Sequence, residues 1–395
     1  MPLSSVRSFS SLKVFCENKE FAGWDPYDGL NSRLFQSLPG LRQSRWARLA
    51  WIQFFKLSPV NLRRIAFVPE EHNAKGLALF LTGYCYLYKT EPKDEYREKI
   101  VFLADKIIGL ASGGYAGACW GYNFDWQARA FFQPRHTPTV VATSFVADAL
   151  LTAGDTLKES RWQDTALSSA RFVLNDLNRT YDEKGNFSFS YSPLDKTQVF
   201  NASLLGARLL ARVYSYTGET LLRDEARKAV QYASDRQQPD GAWAYGTLPY
   251  HAWVDNFHTG FNLECIYQYQ QFTGDASFQP FLEKGFSYYL QHFFTDGGIP
   301  KYYNNKTFPV DIHSPAQLMA TLYKMNRMAE HQELADKVLD WTIRKMQAPQ
   351  GYFFYQKRRL MSSRINYMRW AQAWMFYAFC CYFASSNSKK WINEL

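Results

Sequence analysis

Two kinds of helical segment alternate along the chain. The first is amphipathic at a period of 3.6 residues: Glu98, Lys99 and Lys106 leave one face charged while Leu103 and Ile107 fill the other, and Arg223, Lys228 and Val230 repeat the arrangement. Segments of this kind are 43–56, 96–111, 162–177, 221–236, 278–293 and 333–346. The second kind is apolar on all sides, as helices buried on every face are, and comprises 72–88, 138–153, 200–216, 258–272, 314–329 and 367–384. Three of these run into the same turn, Ala-Gly-Asp155, Thr-Gly-Glu219 and Thr-Gly-Asp275, where glycine suits a left-handed C-cap. Asp255 recurs as Asp311 and Gln317 as Gln372, steps of 56 and 55 residues. Such a repeat predicts an all-α fold. The expected architecture is an (α/α)6 toroid: six helical hairpins in a ring, apolar helices inside, long loops at one mouth, and few short strands such as 187–191. An open α-solenoid is the alternative, and the wholly apolar inner set favours closure. On this reading residues 1–40 are an N-terminal extension and 41–395 a single toroid domain.

Composition bounds what such a ring can do. Of 395 residues, 47% are hydrophobic and 21% charged, which supplies a large core and excludes disorder as the main state. Aromatics reach 17%, and the net charge of +9 admits an anionic partner. The first residues lack both a continuous apolar stretch and a small-residue cleavage site, and no apolar run reaches the ~18 residues of a spanning helix, so a cytoplasmic protein is expected. Cys85, Cys265, Cys380 and Cys381 read as buried thiols, with Cys16 and Cys119 in irregular segments. No Cys or His spacing suggests zinc, and neither metal nor cofactor is expected.

The loops leading from an amphipathic helix into an apolar one are the long ones, and they share one end of the ring, which places function at that mouth. Trp120, Tyr122, Tyr191, Trp243, Tyr245, Trp253, Tyr303 and Tyr355 are candidates for stacking on sugar rings there. Nucleic-acid stacking is the competing use, but no RNP, KH or helix-turn-helix signature occurs, so nucleic acid is not an expected partner. Asp125, Asp195, Asp255 and Asp311 each stand just before an apolar helix, where Asp is also favoured as an N-cap. Two are followed closely by histidine, in Asp255-Asn-Phe-His258 and Asp311-Ile-His313. An Asp–His pair at a helix start orients an imidazole for proton transfer. His136 holds the equivalent place before the second apolar helix. Asp255, His258, Asp311, His313, Asp125 and His136 are therefore the candidate catalytic residues. The last loop is basic, with Arg358, Arg359, Arg364 and Arg369, and Lys301 lies in the loop before it. Arginines at the mouth of a cleft grip carboxylate, phosphate or sulfate groups.

From about residue 40 the chain resembles the six-hairpin (α/α)6-toroid carbohydrate-active superfamily, which contains glycoside hydrolases, polysaccharide lyases and sugar epimerases. The stretches WVDNFHTGFNLE, FPVDIHSPAQ and INYMRWAQAWM resemble proteins encoded among bacterial polysaccharide-biosynthesis genes. Trp253-Val-Asp255-Asn-Phe-His258 is also similar to a stretch of glucuronyl C5-epimerases. Gln238-Pro-Asp-Gly-Ala-Trp243 is similar to the QW repeat of terpene cyclases, but it occurs once and without an Asp-rich motif. The resemblance implies an enzyme of surface or exopolysaccharide biosynthesis acting on an acidic, uronate-containing glycan. Epimerase- or lyase-type proton abstraction would use His258, His313 or a loop tyrosine as base, with an arginine of the last loop neutralising the carboxylate. The alternatives are a glycoside hydrolase using Asp255 with Asp125 or Asp311, and a non-catalytic glycan-binding or assembly protein. The implied partner is an anionic oligo- or polysaccharide, with peripheral association to a membrane-bound glycan-assembly complex.

Overall fold

The computed structural model describes residues 3–128 and 131–385. Its α-helices are, in chain order, α1 (Leu3–Asn18), α2 (Arg33–Gln36), α3 (Pro39–Gln43), α4 (Arg45–Leu57), α5 (Ala74–Thr90), α6 (Asp94–Ile108), α7 (Val140–Leu157), α8 (Ser160–Asn175), α9 (Phe200–Thr217), α10 (Thr220–Ser234), α11 (Asn256–Thr273), α12 (Gln279–Phe293), α13 (His313–Lys324), α14 (Gln332–Met346) and α15 (Trp374–Ser385). The apolar helices α5, α7, α9, α11, α13 and α15 pack each against the next, and α15 packs back on α5. That last contact closes the ring, so the architecture is the toroid and not the open solenoid. Helix α7 is long and apolar enough to cross a membrane, but it is an inner wall of the ring.

Helices α6, α8, α10, α12 and α14 form the outer layer, each burying one stripe. The sixth outer place belongs to α1, not to the amphipathic segment 43–56. Phe9 of α1 is fully buried against the rings of Phe376, Phe379 and Phe383. Ser8 Oγ donates to Gln347 Oε1 at 2.7 Å, and Tyr84 OH donates to Glu17 Oε1 at 2.6 Å. Residues 3–18 thus belong to the ring rather than to an extension. The inward stripe of α1 mixes Val6, Phe9, Leu12 and Cys16 with the buried Ser5 and Ser8, small residues that permit close packing while lowering the apolar contrast of the sequence. Cys16 is helical, not irregular, and all six cysteines are free and buried. Helix α4 lies instead with the mouth loops, burying Ile52 and Phe55.

Close approach of the inner helices rests on glycine. A Cβ on Gly83 would stand 2.7 Å from the ring of Phe376, and one on Gly260 would stand 2.5 Å from Gln317 Cγ. Gly218 and Gly274 cap α9 and α11 at φ +70° and +75°, as expected. Gly154 does not cap α7: the helix runs on to Leu157 and ends on Lys158 at φ +60°. Gln163 Cγ occupies the space beside Gly154, 2.4 Å from where its Cβ would be. Strands are few and short: Phe187–Phe189 pairs antiparallel with Arg179–Tyr181, and Gln356–Lys357 pairs with both Val310–Asp311 and Ser362–Ser363.

Candidate active site

The long loops and the N-terminal ends of the inner helices enclose a cavity of about 500 Å³. Its chemistry centres on the start of α11. Asp255 is the N-cap, and Oδ1 accepts the backbone N–H of His258 at 3.0 Å. Oδ2 accepts the indole N–H of Trp253 at 2.9 Å and meets His258 Nδ1 at 2.6 Å. One buried carboxylate therefore caps the helix and fixes the imidazole. With Nδ1 committed, Nε2 is the ring nitrogen left for the cavity, which His258 lines. Tyr245 stacks on Trp253 with centroids 4.5 Å apart and packs on His258 at 4.6 Å.

The second focus is a π-helical turn, Met368–Ala373, that leads into α15. Turns of this kind recur at functional sites because they shift the side-chain register. This one brings Arg369 and Trp370 to the cavity wall. Arg369 is buried, and Nε and Nη2 hold Asp25, the latter pair at 2.8 Å. Burial opposes its charge, but the charge and hydrogen bonds of Asp25, together with Tyr122 and Tyr27, raise its pKa on balance. Among the described residues Nη1 has no hydrogen-bond acceptor, which leaves it as the atom available to a ligand. Lys56 of α4 also lines the cavity, donating to Tyr27 OH at 3.1 Å, and Tyr27 raises its pKa. The Tyr122 and Tyr191 hydroxyls share a hydrogen bond of 3.1 Å. Burial pushes both phenols up, so they are neutral donors.

The candidates from the sequence divide clearly. Asp255, His258, Tyr122, Tyr191, Tyr245, Trp253, Tyr303 and Arg369 come together at this cavity, Asp255 from behind His258. Asp311 and His313 do not line it. Asp311 is buried behind Trp370, accepting its indole N–H at 2.8 Å, and burial raises its pKa to about 6. His313 is buried flat against Phe257 at 4.3 Å, neither ring nitrogen has a hydrogen-bond partner, and burial then Lys75 hold its pKa down. Asp125 instead accepts the backbone N–H of Arg135 at 2.8 Å, and His136 is an exposed turn residue at φ +63°. Trp120 and Trp243 are core residues whose indoles donate to the Ile107 and Ala233 carbonyls, because large flat rings close the gaps between outer and inner helices. Tyr355 is buried with Tyr367 in a separate apolar cluster. Lys301 gives its ammonium to the Asn304 carbonyl at 2.7 Å. Arg358, Arg359 and Arg364 sit on the hairpin outside the cavity. Sequence reasoning missed Tyr27, Asp25, Lys56 and Trp370. The acid-free run after Asn31 was the one signal that could have drawn attention to Lys56.

No protein-family model matches the sequence, and no curated protein is similar to it. Solved structures are. The cellobiose 2-epimerase of Bacillus thermoamylovorans B4167 superposes with a TM-score of 0.63 at 11% identity, covering 80% of this chain and 90% of that one. The shared fold is the (α/α)6 toroid. The GH76 α-mannanase of Bacteroides thetaiotaomicron gives 0.60 at 12% identity over 79% and 86% of the two chains. An unsaturated glucuronyl hydrolase specific for heparin gives 0.56 at 10% identity over 78% and 85%. These neighbours act on sugars by different reactions, so the likeness carries the fold, and the reaction has to be read from the cavity.

Proposed function

We propose that the protein is a sugar-converting enzyme that removes a proton from the carbon beside a uronate carboxylate, as an epimerase or lyase. One observation carries this reading: the cavity wall presents His258, held by Asp255, together with Arg369 and Lys56, and no Asp or Glu among the described residues that line it. Glycoside hydrolysis needs two carboxylates facing the scissile bond. Asp255 spends its oxygens on His258 and Trp253, and Asp311 and Asp125 stand outside the wall. In the proposed reaction Arg369 Nη1 and Lys56 bind the carboxylate, which makes the neighbouring C–H more acidic. His258 Nε2 takes that proton, and the charge that develops on the carboxylate oxygens is stabilised by the same two cations. The imidazolium is stabilised by Asp255. A neutral phenol, Tyr122 or Tyr191, returns a proton to the carbon for epimerisation; in the lyase outcome the C4–O bond breaks as a C4–C5 double bond forms, and the phenol protonates the departing oxygen. The aromatic wall, Tyr245 on Trp253 and Phe257 beside His258, offers flat faces to sugar rings. A role in surface-polysaccharide biosynthesis fits an anionic glycan substrate. The test is proton NMR in D2O with uronic-acid oligosaccharides and neutral controls. Loss of the C5 proton signal, or a new vinylic signal, is expected with the uronates alone. A new reducing end without exchange at C5 would replace this reading by a hydrolase.

A further inference from the structure

Two stretches beside the mouth are unlike the rest of the surface. From Asn31 to Pro69 the chain has no Asp or Glu, against six arginines and one lysine. The same holds from Gln356 to Trp370, with four arginines and one lysine. Arg63 and Arg369 are buried on Asp28 and Asp25. Arg33, Arg42, Arg45, Arg64, Arg359 and Arg364 are exposed. Elsewhere the surface mixes signs, as in Arg161 with Asp105 or Lys337 with Glu333.

Large apolar side chains stand among these cations. Helix α4 turns Ile52 and Phe55 inward, while Trp46 (75% exposed), Phe54 (54%) and Leu57 (56%) follow one another at helical spacing on its outer side. Val60, Ile65 and Phe67 continue the exposed series. The hairpin bearing Leu360, 98% exposed, is joined to the same rim, because Tyr355, Ile365 and Tyr367 pack with Phe55, Ala66 and Val68 in one cluster.

We infer that this rim docks the protein on an anionic phospholipid surface, with Trp46, Phe54, Leu57 and Leu360 entering the headgroup boundary and the arginines meeting lipid phosphates. Separate aromatic and leucine tips flanked by arginines, in two stretches of chain that carry no acid, suit a bilayer interface. A second copy is a poor occupant: a two-fold contact would set the same cationic patch against itself. Docking does not depend on which reaction the cavity performs. If the uronate reading holds, it adds that the cavity opens toward the membrane, where a lipid-linked glycan would be presented.

The test is flotation of the full-length protein with vesicles of phosphatidylcholine alone and with added phosphatidylglycerol, at low and high salt. Binding is expected only with the anionic lipid, falling steeply with salt. Combined Trp46→Ser, Phe54→Ser and Leu360→Ser should weaken partitioning by about 100-fold, and Arg42→Glu with Arg359→Glu should do so separately. Leu221→Ser, exposed on an outer helix, should change nothing. Absence of binding to anionic vesicles, or equal binding by the triple-serine variant, overturns the inference. So does a concentration-dependent dimer that the triple-serine variant abolishes, since the face would then be a self-association surface. Sugar turnover measured in parallel without vesicles separates failure of docking from failure of the enzymatic reading.

Discussion

At the scale of single residues, Asp255 serves structure and chemistry at once, and substitutions can separate the two. Asp255→Asn can still cap α11, since Asn and Asp are equivalent N-caps. With its oxygen on the cap, its NH2 group takes the place of Oδ2 and can accept from neither the Trp253 indole nor His258 Nδ1, which costs about 1–3 kcal/mol of stability. His258→Gln leaves the cap and the indole bond intact and should cost less stability. Either change should lower turnover by roughly 10²–10⁴-fold, and the double variant should be no slower than the worse single one, because base and orienter act as a unit. Additive losses would mean that Asp255 acts otherwise than through His258. Asp311 makes a separate prediction. Burial raises its pKa to about 6. Between its unfolded pKa near 4 and that value the folded state keeps the proton that the unfolded state has lost, so stability falls as pH rises through this window and stays lower above it. Asp311→Asn preserves an acceptor for His313 N–H and the Trp370 indole. The variant should lack this decline and be more stable than the parent at neutral pH by roughly 2–3 kcal/mol. Urea midpoints across the window check it; parallel profiles would show that Asp311 ionises freely in the fold.

At the scale of elements, most of the ring was legible because an inner helix declares itself twice, by an apolar run and by the loop before it. The segment 200–216 became Phe200–Thr217, and 258–272 became Asn256–Thr273. The failures have physical reasons. The segment 314–329 overshoots because α13 ends at Lys324, where Lys324 pairs with Glu264 and Asn326 takes φ +56°. The segment 43–56 is a helix with the predicted amphipathicity, but amphipathicity reports that a face is buried and not what it is buried against. The site was half legible. Asp255 and His258 are near neighbours in sequence, whereas Arg369 meets Asp25 across 344 positions, and no local pattern announces such a pair. Helix contacts yield one more prediction. Gly83→Ala would drive a methyl into the Phe376 ring and should cost about 1–3 kcal/mol. Gly113→Ala, with open space around it, should cost nothing comparable. Equal thermal shifts for the two would mean that α5 and α15 approach less closely than their glycine implies.

At the scale of the whole molecule, closure is the property that no single repeat encodes. Each inner helix is covered by an outer one, and the last gap, beside α15 and α14, is filled from the opposite end of the sequence by α1. Val6, Phe9, Leu12 and Cys16 are all buried there. At about 1.5–3 kcal/mol for each large apolar side chain, their burial is comparable to the total stability of about 5–15 kcal/mol of an ordinary domain. Removing residues 1–18 should therefore not trim a tail but open the ring. It would expose Phe379 and Phe383, leave Gln347 without Ser8, and disturb the π-helical turn that positions Arg369, which α1 touches. The shortened chain should lose its cooperative thermal transition, and a synthetic peptide of residues 3–18 added in trans should restore it. The same peptide with Phe9→Ser should fail, because a hydroxyl would replace the ring that packs against three phenylalanines. Differential scanning calorimetry of the shortened protein with each peptide decides the matter. An undiminished transition without any peptide would mean that five outer helices suffice to hold six inner ones closed.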